Sequence, residues 1–541
     1  MHHALAIPEI LHSIFSHLEQ TAPERDVAFE NSTVFPILGP EPIPPEKGNG
    51  AALANAARCC KAFSIPALDI LWSHQKSILP LLKILPSFKK SDENRKYMLT
   101  DMIQEYQFKR LQSFASRIRS MERYKVDSID DLVFLQITEL LKGQPLTPML
   151  HTLTFPISNS IFLLISPRLC NITVVRQLSA NKASILLQSL ICKSPTLKNF
   201  SSFNCDMFSL NPSNWATLAR LEHLQSLEIR NVLELDKNGL CMVLGMQQLT
   251  KLSLSFDQPI PQFTLPPTTQ TYALRVLVLS AQTHFVKGLL ACLVATPLTT
   301  LRIVYEDSGD IAYEESWLAR LAVIAHWSDS LSELELQDPD VDGSGRLGVD
   351  SGVVRDISVL DPLLKVRGLR KLIFRPNITF DFSDDDFGRL ARAWPAMEYL
   401  HFDLWGGIKV PSATFAALDA FVTCCPHLHS LSIRFDASRL PPSPRITTHR
   451  LRYLYIDYPI VEPINQVARY LDALCPVVAW VDGSDSLDIT VAAQNGIVVG
   501  APVDFFGKRR WNEVADMVKL CQVGRADDKQ RHKLVTRGFL L

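Results

Sequence analysis

The chain has 541 residues, 47% of them apolar and 21% charged, and its 55 Lys+Arg against 56 Asp+Glu leave a formal net charge of −1. That composition is globular, not disordered, and the even balance argues against bulk binding to nucleic acid or to an anionic membrane. Eleven cysteines with no CxxC spacing, no apolar run of ~18 residues and no secretory leader pattern predict an intracellular protein with reduced thiols, cytoplasmic or nuclear.

The first predicted element is a helix over 5–18, where Ile7, Ile10, Leu11, Ile14, Phe15 and Leu18 form an apolar stripe and Pro8 fits the first turn. A polar, proline-rich insertion follows at roughly 20–50, containing GPEPIPPEKGNG, and reads as a loop. Next come a small-residue helix, a break near Ser64–Pro66 and a second short helix ending at Trp72. A segment this short and this apolar leaves a greasy helix face, covered either as a cap on the following domain or by a partner.

The opening L-x-x-P-E-I-L-x-x-I-F-x-x-L, then A-x-x-C-K-x-F-x-x-P-A-L-D-I-L-W, resembles the F-box of fungal (basidiomycete-type) F-box proteins with leucine-rich repeats. The stretch from Phe108 to Leu141 and the following LTPMLHTLTFP look like that family's connector. The resemblance implies docking onto the Skp adaptor of a cullin–RING ubiquitin ligase core. It places Pro8, Ile10, Leu11, Ile14, Leu18, Cys59, Phe63, Pro66, Leu68 and Trp72 on the positions that build the docking helices, some touching the adaptor and some filling the module. The long insertion between the two halves departs from the family pattern.

Beyond it one phrase recurs: apolar, two residues, apolar, one residue, apolar. Nine copies start at Leu224, Leu249, Leu274, Leu298, Leu331, Leu369, Met397, Leu428 and Leu451, spaced 25, 25, 24, 33, 38, 28, 31 and 23 residues apart. Weaker copies begin at Leu150, Leu169 and Leu197. Each apolar triplet suits a short strand, and helical stretches lie between: Asn238–Met246, Phe285–Val294, Ser316–Trp327, Val353–Val366, Asp384–Ala393, Ser412–Cys424 and Ile464–Leu474. Pro195, Pro297, Pro395, Pro426 and Pro476 stop helices just before the next strand, while Asp384–Asp386, Ser412 and Pro463 mark starts. This is the pattern of a leucine-rich repeat. The predicted fold is an α/β solenoid: a small all-α F-box-like module (1–75), a helical connector (76–148), an irregular leucine-rich-repeat horseshoe with a parallel sheet (149–482), and a C-terminal cap and tail (483–541) with a helix near Trp511–Cys521.

Chemical motifs are sparse. Asp338-Pro-Asp340-Val-Asp342-Gly343 imitates the start of a calcium loop, but Val349 stands where the closing glutamate belongs. Gly343-Ser-Gly345-Arg-Leu-Gly348 matches a dinucleotide fingerprint but sits past its strand in an acidic loop. Cys424-Cys425-Pro-His427-Leu-His429 has the residue types of a zinc site, yet the residue before proline is Ser194, Thr296, Trp394 or Cys475 in other copies, which is a packing position. Basic residues from Lys109 to Lys125 read as a solvated helix face, and Lys508-Arg509-Arg510 is a short basic cluster. No catalytic constellation is found, and neither metal nor cofactor is expected.

A repeat array makes an extended surface, and residues between the apolar positions line one face of its sheet. They are Glu228, Arg230, Lys251, Arg302, Glu333, Glu335, Lys371, Arg375, Tyr399, His401, Asp403, Arg434, Tyr453, Tyr455 and Asp457. Tyrosine and arginine dominate interface energetics, which makes Arg302 to Tyr455 the expected substrate face, with the Tyr399–Tyr455 end foremost and a merely solvated sheet face as the alternative. The sequence therefore reads as a non-enzymatic substrate-recognition adaptor of an SCF-type ubiquitin ligase, binding the Skp adaptor and a protein substrate. The alternative is a ligase-independent leucine-rich-repeat scaffold.

Overall fold

A computed structural model of the protein describes residues 7–17, 50–92, 95–122, 128–156, 160–175, 180–203, 212–232, 235–256, 272–306, 313–338, 357–376, 380–402, 411–441, 445–456, 463–483 and 506–538. The chain divides into two compact units, Met1–Pro261 with Tyr272–Leu274, and Gln262–Thr271 with Arg275–Leu541. The fold is a leucine-rich-repeat α/β solenoid with a helical N-terminal region.

Unit 1 begins with helices Pro8–Ser16, Gly50–Cys59 and Lys61–Ser73. Pro8 occupies the first turn of its helix, where its missing N–H goes unused. Leu11, Phe15, Leu53, Ala67 and Ile70 form the module's core, and Phe63 meets Phe15 edge-on at 5.5 Å between centroids. The break expected near Ser64–Pro66 is displaced to Cys60, whose extended backbone separates the second and third helices. Pro66 lies inside the third helix, where burial of Pro66, Ala67 and Ile70 holds the turn despite the lost donor.

Strands β1 (His74–Gln75), β4 (Ser120–Glu122), β5 (Thr152–Pro156), β6 (Asn171–Val175), β7 (Asn199–Phe203), β8 (Ser226–Ile229) and β9 (Lys251–Ser255) form a parallel run in chain order, while β2 (Phe88–Lys90) and β3 (Tyr97–Leu99) pair antiparallel. Met121, Leu153, Ile172, Phe200, Leu227 and Leu252 stand opposite one another strand by strand, all buried. The weak copies at Leu150, Leu169 and Leu197 are thus true repeats. The segment 76–148, expected as a helical connector, also carries β2, β3 and β4. The Ile118–Met121 copy escaped notice because it has a single apolar pair among charged residues. The helix there is Glu105–Ala115, shorter than the basic run, and Arg117 beyond it pairs with Asp69.

Unit 2 carries β10 (Val276–Ala281), β11 (Thr300–Tyr305), β12 (Glu333–Gln337), β13 (Lys371–Arg375), β14 (Tyr399–Phe402), β15 (Ser430–Ile433), β16 (Tyr453–Ile456) and β17 (Trp480–Gly483), each parallel to the next. Leu277, Leu301, Leu334, Leu372, Leu400, Leu431 and Leu454 make one in-register buried column ending at Val481. Each such side chain contributes about 2 kcal/mol of burial, so the column sets the register: a slip by one residue would put every leucine on the wrong face.

The expected helix Val353–Val366 is instead a 3-10 segment, Ile357–Lys365, because Pro362 at its centre cannot donate to an α-helical ladder. Ser383, not an aspartate, caps helix Asp384–Ala393, in a reciprocal box with Asp386. Thr414 caps Phe415–Cys424 in place of Ser412, which bonds Asp381. The pre-proline residues Ser194, Thr296, Trp394, Cys425 and Cys475 are all buried at equivalent places, as packing positions should be. The C-terminal helix runs Phe506–Gly538, longer than expected, and buries Trp511, Val514 and Val518 at helical spacing. Gln522 donates to the Val478 carbonyl at 2.7 Å and Arg525 pairs with Asp472. Among the described residues no helix is long and apolar enough to cross a membrane.

Candidate protein-binding faces

Along unit 2 the ladder register sorts the outward side chains into rows. One row reads Thr300, Glu333, Lys371, Tyr399, Ser430, Tyr453 and Trp480; the next reads Arg302, Glu335, Ile373, His401, Ser432, Tyr455 and Asp482. Gln337 and Arg375 begin a third. The structure therefore gathers nearly all the expected substrate-face residues on β11–β16. Arg434 lies just past β15 and is buried, which keeps it off the open surface. Asp403 and Asp457 lie outside the described residues. Gln337 and Trp480 join the face although the sequence reading passed over them. Strict alternation from Val481 would have found Trp480, whereas Gln337 emerges only from register.

Arg302 extends across β12, its Nη2 at 3.4 Å from Glu333 Oε2 and its Nε at 3.7 Å from Glu335 Oε2. The Lys371 ammonium sits 5.4 Å from the centre of the Tyr399 ring, within cation–π range. Burial first, then the Arg302 guanidinium, holds Lys371 below the usual lysine range, against the opposing pull of Glu335 and Glu333. Burial likewise raises Tyr399, so its hydroxyl stays protonated. His401, wedged between Ile373 and Ser432, keeps some accessible surface, yet burial, aided by the Arg375 charge, pushes it down to about 3. It is neutral at physiological pH and adds no charge to the face.

The N-terminal module presents a second surface. On helix Pro8–Ser16, Leu11 and Phe15 turn inward, while Ile7, Ile10 and Ile14 remain 43%, 38% and 44% exposed. The stripe seen in the sequence is thus split into a core edge and an outer ridge at i, i+3, i+7 spacing. Ile65 on the third helix is also exposed. Of the other expected docking residues, Pro8 and Cys59 are exposed, Leu68 and Trp72 half-buried, and Pro66 is buried in the module. Trp72 leans on Phe114 at 4.9 Å, joining the module to the following helix. Leu18 lies outside the described residues.

Among the described residues no group of three or more His, Cys, Asp or Glu side chains is gathered to hold a metal ion. Cys425 is buried, its thiol 3.4 Å from the Trp394 carbonyl, and burial pushes its pKa up to about 12. Asp338 is buried against Arg320, whose guanidinium stacks 3.9 Å from the centre of the Tyr305 ring. The rest of the calcium-loop and dinucleotide-like motifs, residues 339–350, lies outside the described residues.

No family profile and no curated protein matches the chain. Sixty-seven chains of solved structures do match. An internalin (inlF) from Listeria monocytogenes is 11% identical, covers 72% of this chain and 87% of its own, and gives a TM-score of 0.31. The leucine-rich repeat domain of APL1 is 12% identical over 68% of this chain and 73% of its own, with a TM-score of 0.26. Likeness at this level concerns the fold alone.

Proposed function

We propose that this chain is the substrate-recognition subunit of an SCF-type cullin–RING ubiquitin ligase. The N-terminal helices dock a Skp-type adaptor, and the outward face of β11–β17 holds a protein substrate. The chain performs no chemistry itself and acts by raising the substrate's local concentration. One observation carries the reading: three isoleucines stand exposed along one side of a helix whose other side fills a core. A soluble chain covers such a ridge with a partner helix or groove. The F-box-like pattern of the same residues supplies the identity of that partner. Rows of tyrosine, tryptophan, arginine and paired charges are the composition of an interaction face, and support the substrate half.

The test is co-purification of the full chain with a Skp-type adaptor. Ile10→Glu together with Ile14→Glu is expected to abolish capture while leaving the melting temperature nearly unchanged, because neither side chain is in the core. Capture undiminished by the double change, or no capture by the unaltered chain, rejects the ligase assignment and leaves the ligase-independent scaffold.

A further inference from the structure

We propose that Arg375, on the same face of β13 as Lys371, which stands opposite Tyr399, forms a seat for an anionic group, a carboxylate or a phosphate, carried by the protein segment that the β11–β17 face holds. The inference rests on the reading of that face as a protein-binding surface and names the chemistry of what it takes.

Strands β11 to β14 carry three cations, Arg302, Lys371 and Arg375, against two carboxylates, Glu333 and Glu335. Both carboxylates are engaged by Arg302. Among the described residues the Arg375 side chain has no carboxylate within ion-pair distance and makes one hydrogen bond, a 3.5 Å contact from Nη1 to Gln337 Oε1, at the edge of what counts as a bond. Its Nε is sealed from solvent without an acceptor. A half-buried guanidinium left in this condition costs free energy in the isolated chain, and an arriving acceptor recovers it. Guanidinium is also the group whose planar fork matches two oxygens of a carboxylate or phosphate.

The neighbours favour an anion as well. Lys371, opposite Tyr399 in the ladder, adds a second positive charge, held below the usual lysine range by burial first and then by Arg302. His401 is held neutral by burial and by Arg375 itself. The Tyr399 ring supplies an apolar wall, and its protonated hydroxyl a donor.

The test uses the full chain and bead-bound degenerate peptides with glutamate, phosphoserine or glutamine at one fixed position. The unaltered chain is expected to retain one or both anionic pools about ten-fold more than the glutamine pool, roughly one charge-assisted contact. Arg375→Gln should lose the preference, and Arg375→Lys should keep part of it, with melting temperatures not lowered, because the replaced guanidinium has no ion pair among the described residues to lose. The better-retained anionic pool tells carboxylate from phosphate. Equal retention of all three pools leaves the face a protein-binding surface but overturns the anion seat. A preference that survives Arg375→Gln overturns it too, and retention of no pool overturns both. Adaptor capture, read separately, is indifferent to all three outcomes.

Discussion

Replacing Asp384 by alanine removes three accepted hydrogen bonds at a joint between repeats. Although it sits in the first turn of helix Asp384–Ala393, its carboxylate serves the next helix: Oδ1 accepts from the amides of Thr414 at 2.7 Å and Ala417 at 3.1 Å, and Oδ2 accepts from Thr414 Oγ1 at 2.8 Å. The Thr414 amide belongs to the capping residue of helix Phe415–Cys424 and has no acceptor within the first turn, while the Ala417 amide is shared between Asp384 and the Thr414 carbonyl at 3.1 Å. Hydrogen bonds to a charged acceptor are worth about 1.5–3 kcal/mol each, but they act as a unit and the site is partly solvated, so the expected loss is about 2–4 kcal/mol in total. Asp384→Asn keeps an oxygen for the amides and should cost about 1 kcal/mol. Asp385→Ala, one residue along and exposed, has the same charge and the same place near a helix start; it should stay within about 0.5 kcal/mol. Urea unfolding followed by tryptophan fluorescence, with Trp394 buried nearby, reads all three. A repeat array couples each unit only to its neighbours, so the loss should also broaden the transition as the joint uncouples. If Asp384→Ala matches Asp385→Ala, the carboxylate is not a joint and the argument fails.

Two further outcomes are expected. His401 has a folded pKa of about 3 against an ordinary 6.5, so the unfolded chain takes the proton first. Its contribution to stability is complete above pH 6.5 and is lost as the pH falls towards 3, amounting to about 1 kcal/mol by pH 5 after allowance for its accessible surface. His401→Gln should flatten the pH slope of urea unfolding by that amount, and an unchanged slope refutes the assignment. Leu11→Ala should destabilise the N-terminal module by about 2–4 kcal/mol while Ile10→Ala stays within about 1, measured by limited proteolysis of helix Pro8–Ser16; equal effects would mean the ridge is not outward-facing.

The repeat positions were legible because a parallel ladder demands a buried side chain at one place in every strand, and leucine meets that demand almost without exception from Leu227 to Leu454. Proline punctuation was legible for a similar reason: the constraint is local and acts on one residue. The Met121 strand was obscure because three residues flanked by charges offer no period to count. The Pro66 helix was misplaced because tertiary burial outweighed a local penalty, while Pro362 did break its helix; sequence alone does not say which will prevail. The face was legible as a list of residues but not as chemistry. That Arg302 occupies both glutamates, and that Arg375 consequently stands without one, follows from register across strands separated by more than thirty residues. Asp384 is the same kind of case, a capping residue by sequence whose carboxylate serves a helix thirty residues on.

The outward rows of the two units differ in a way that bears on where recognition lies. On β5–β7 of unit 1 the row residues are short and neutral and satisfy one another: Asn199 donates to Asn171, Asn171 donates to Thr152, and Thr173 meets Ser201 at 2.8 Å. A partner laid on that row must displace bonds already made and covers little apolar area in return, so each contact gains little. In unit 2 the corresponding rows carry Tyr399, Tyr453, Tyr455 and Trp480, whose rings offer large contact area at small entropic cost, beside Arg375, whose Nε lacks an acceptor. The same backbone ladder therefore presents a self-satisfied row in one unit and an unsatisfied one in the other. Binding free energy comes from what association newly satisfies, which is why the proposed function puts the substrate on β11–β17 and not on β5–β7.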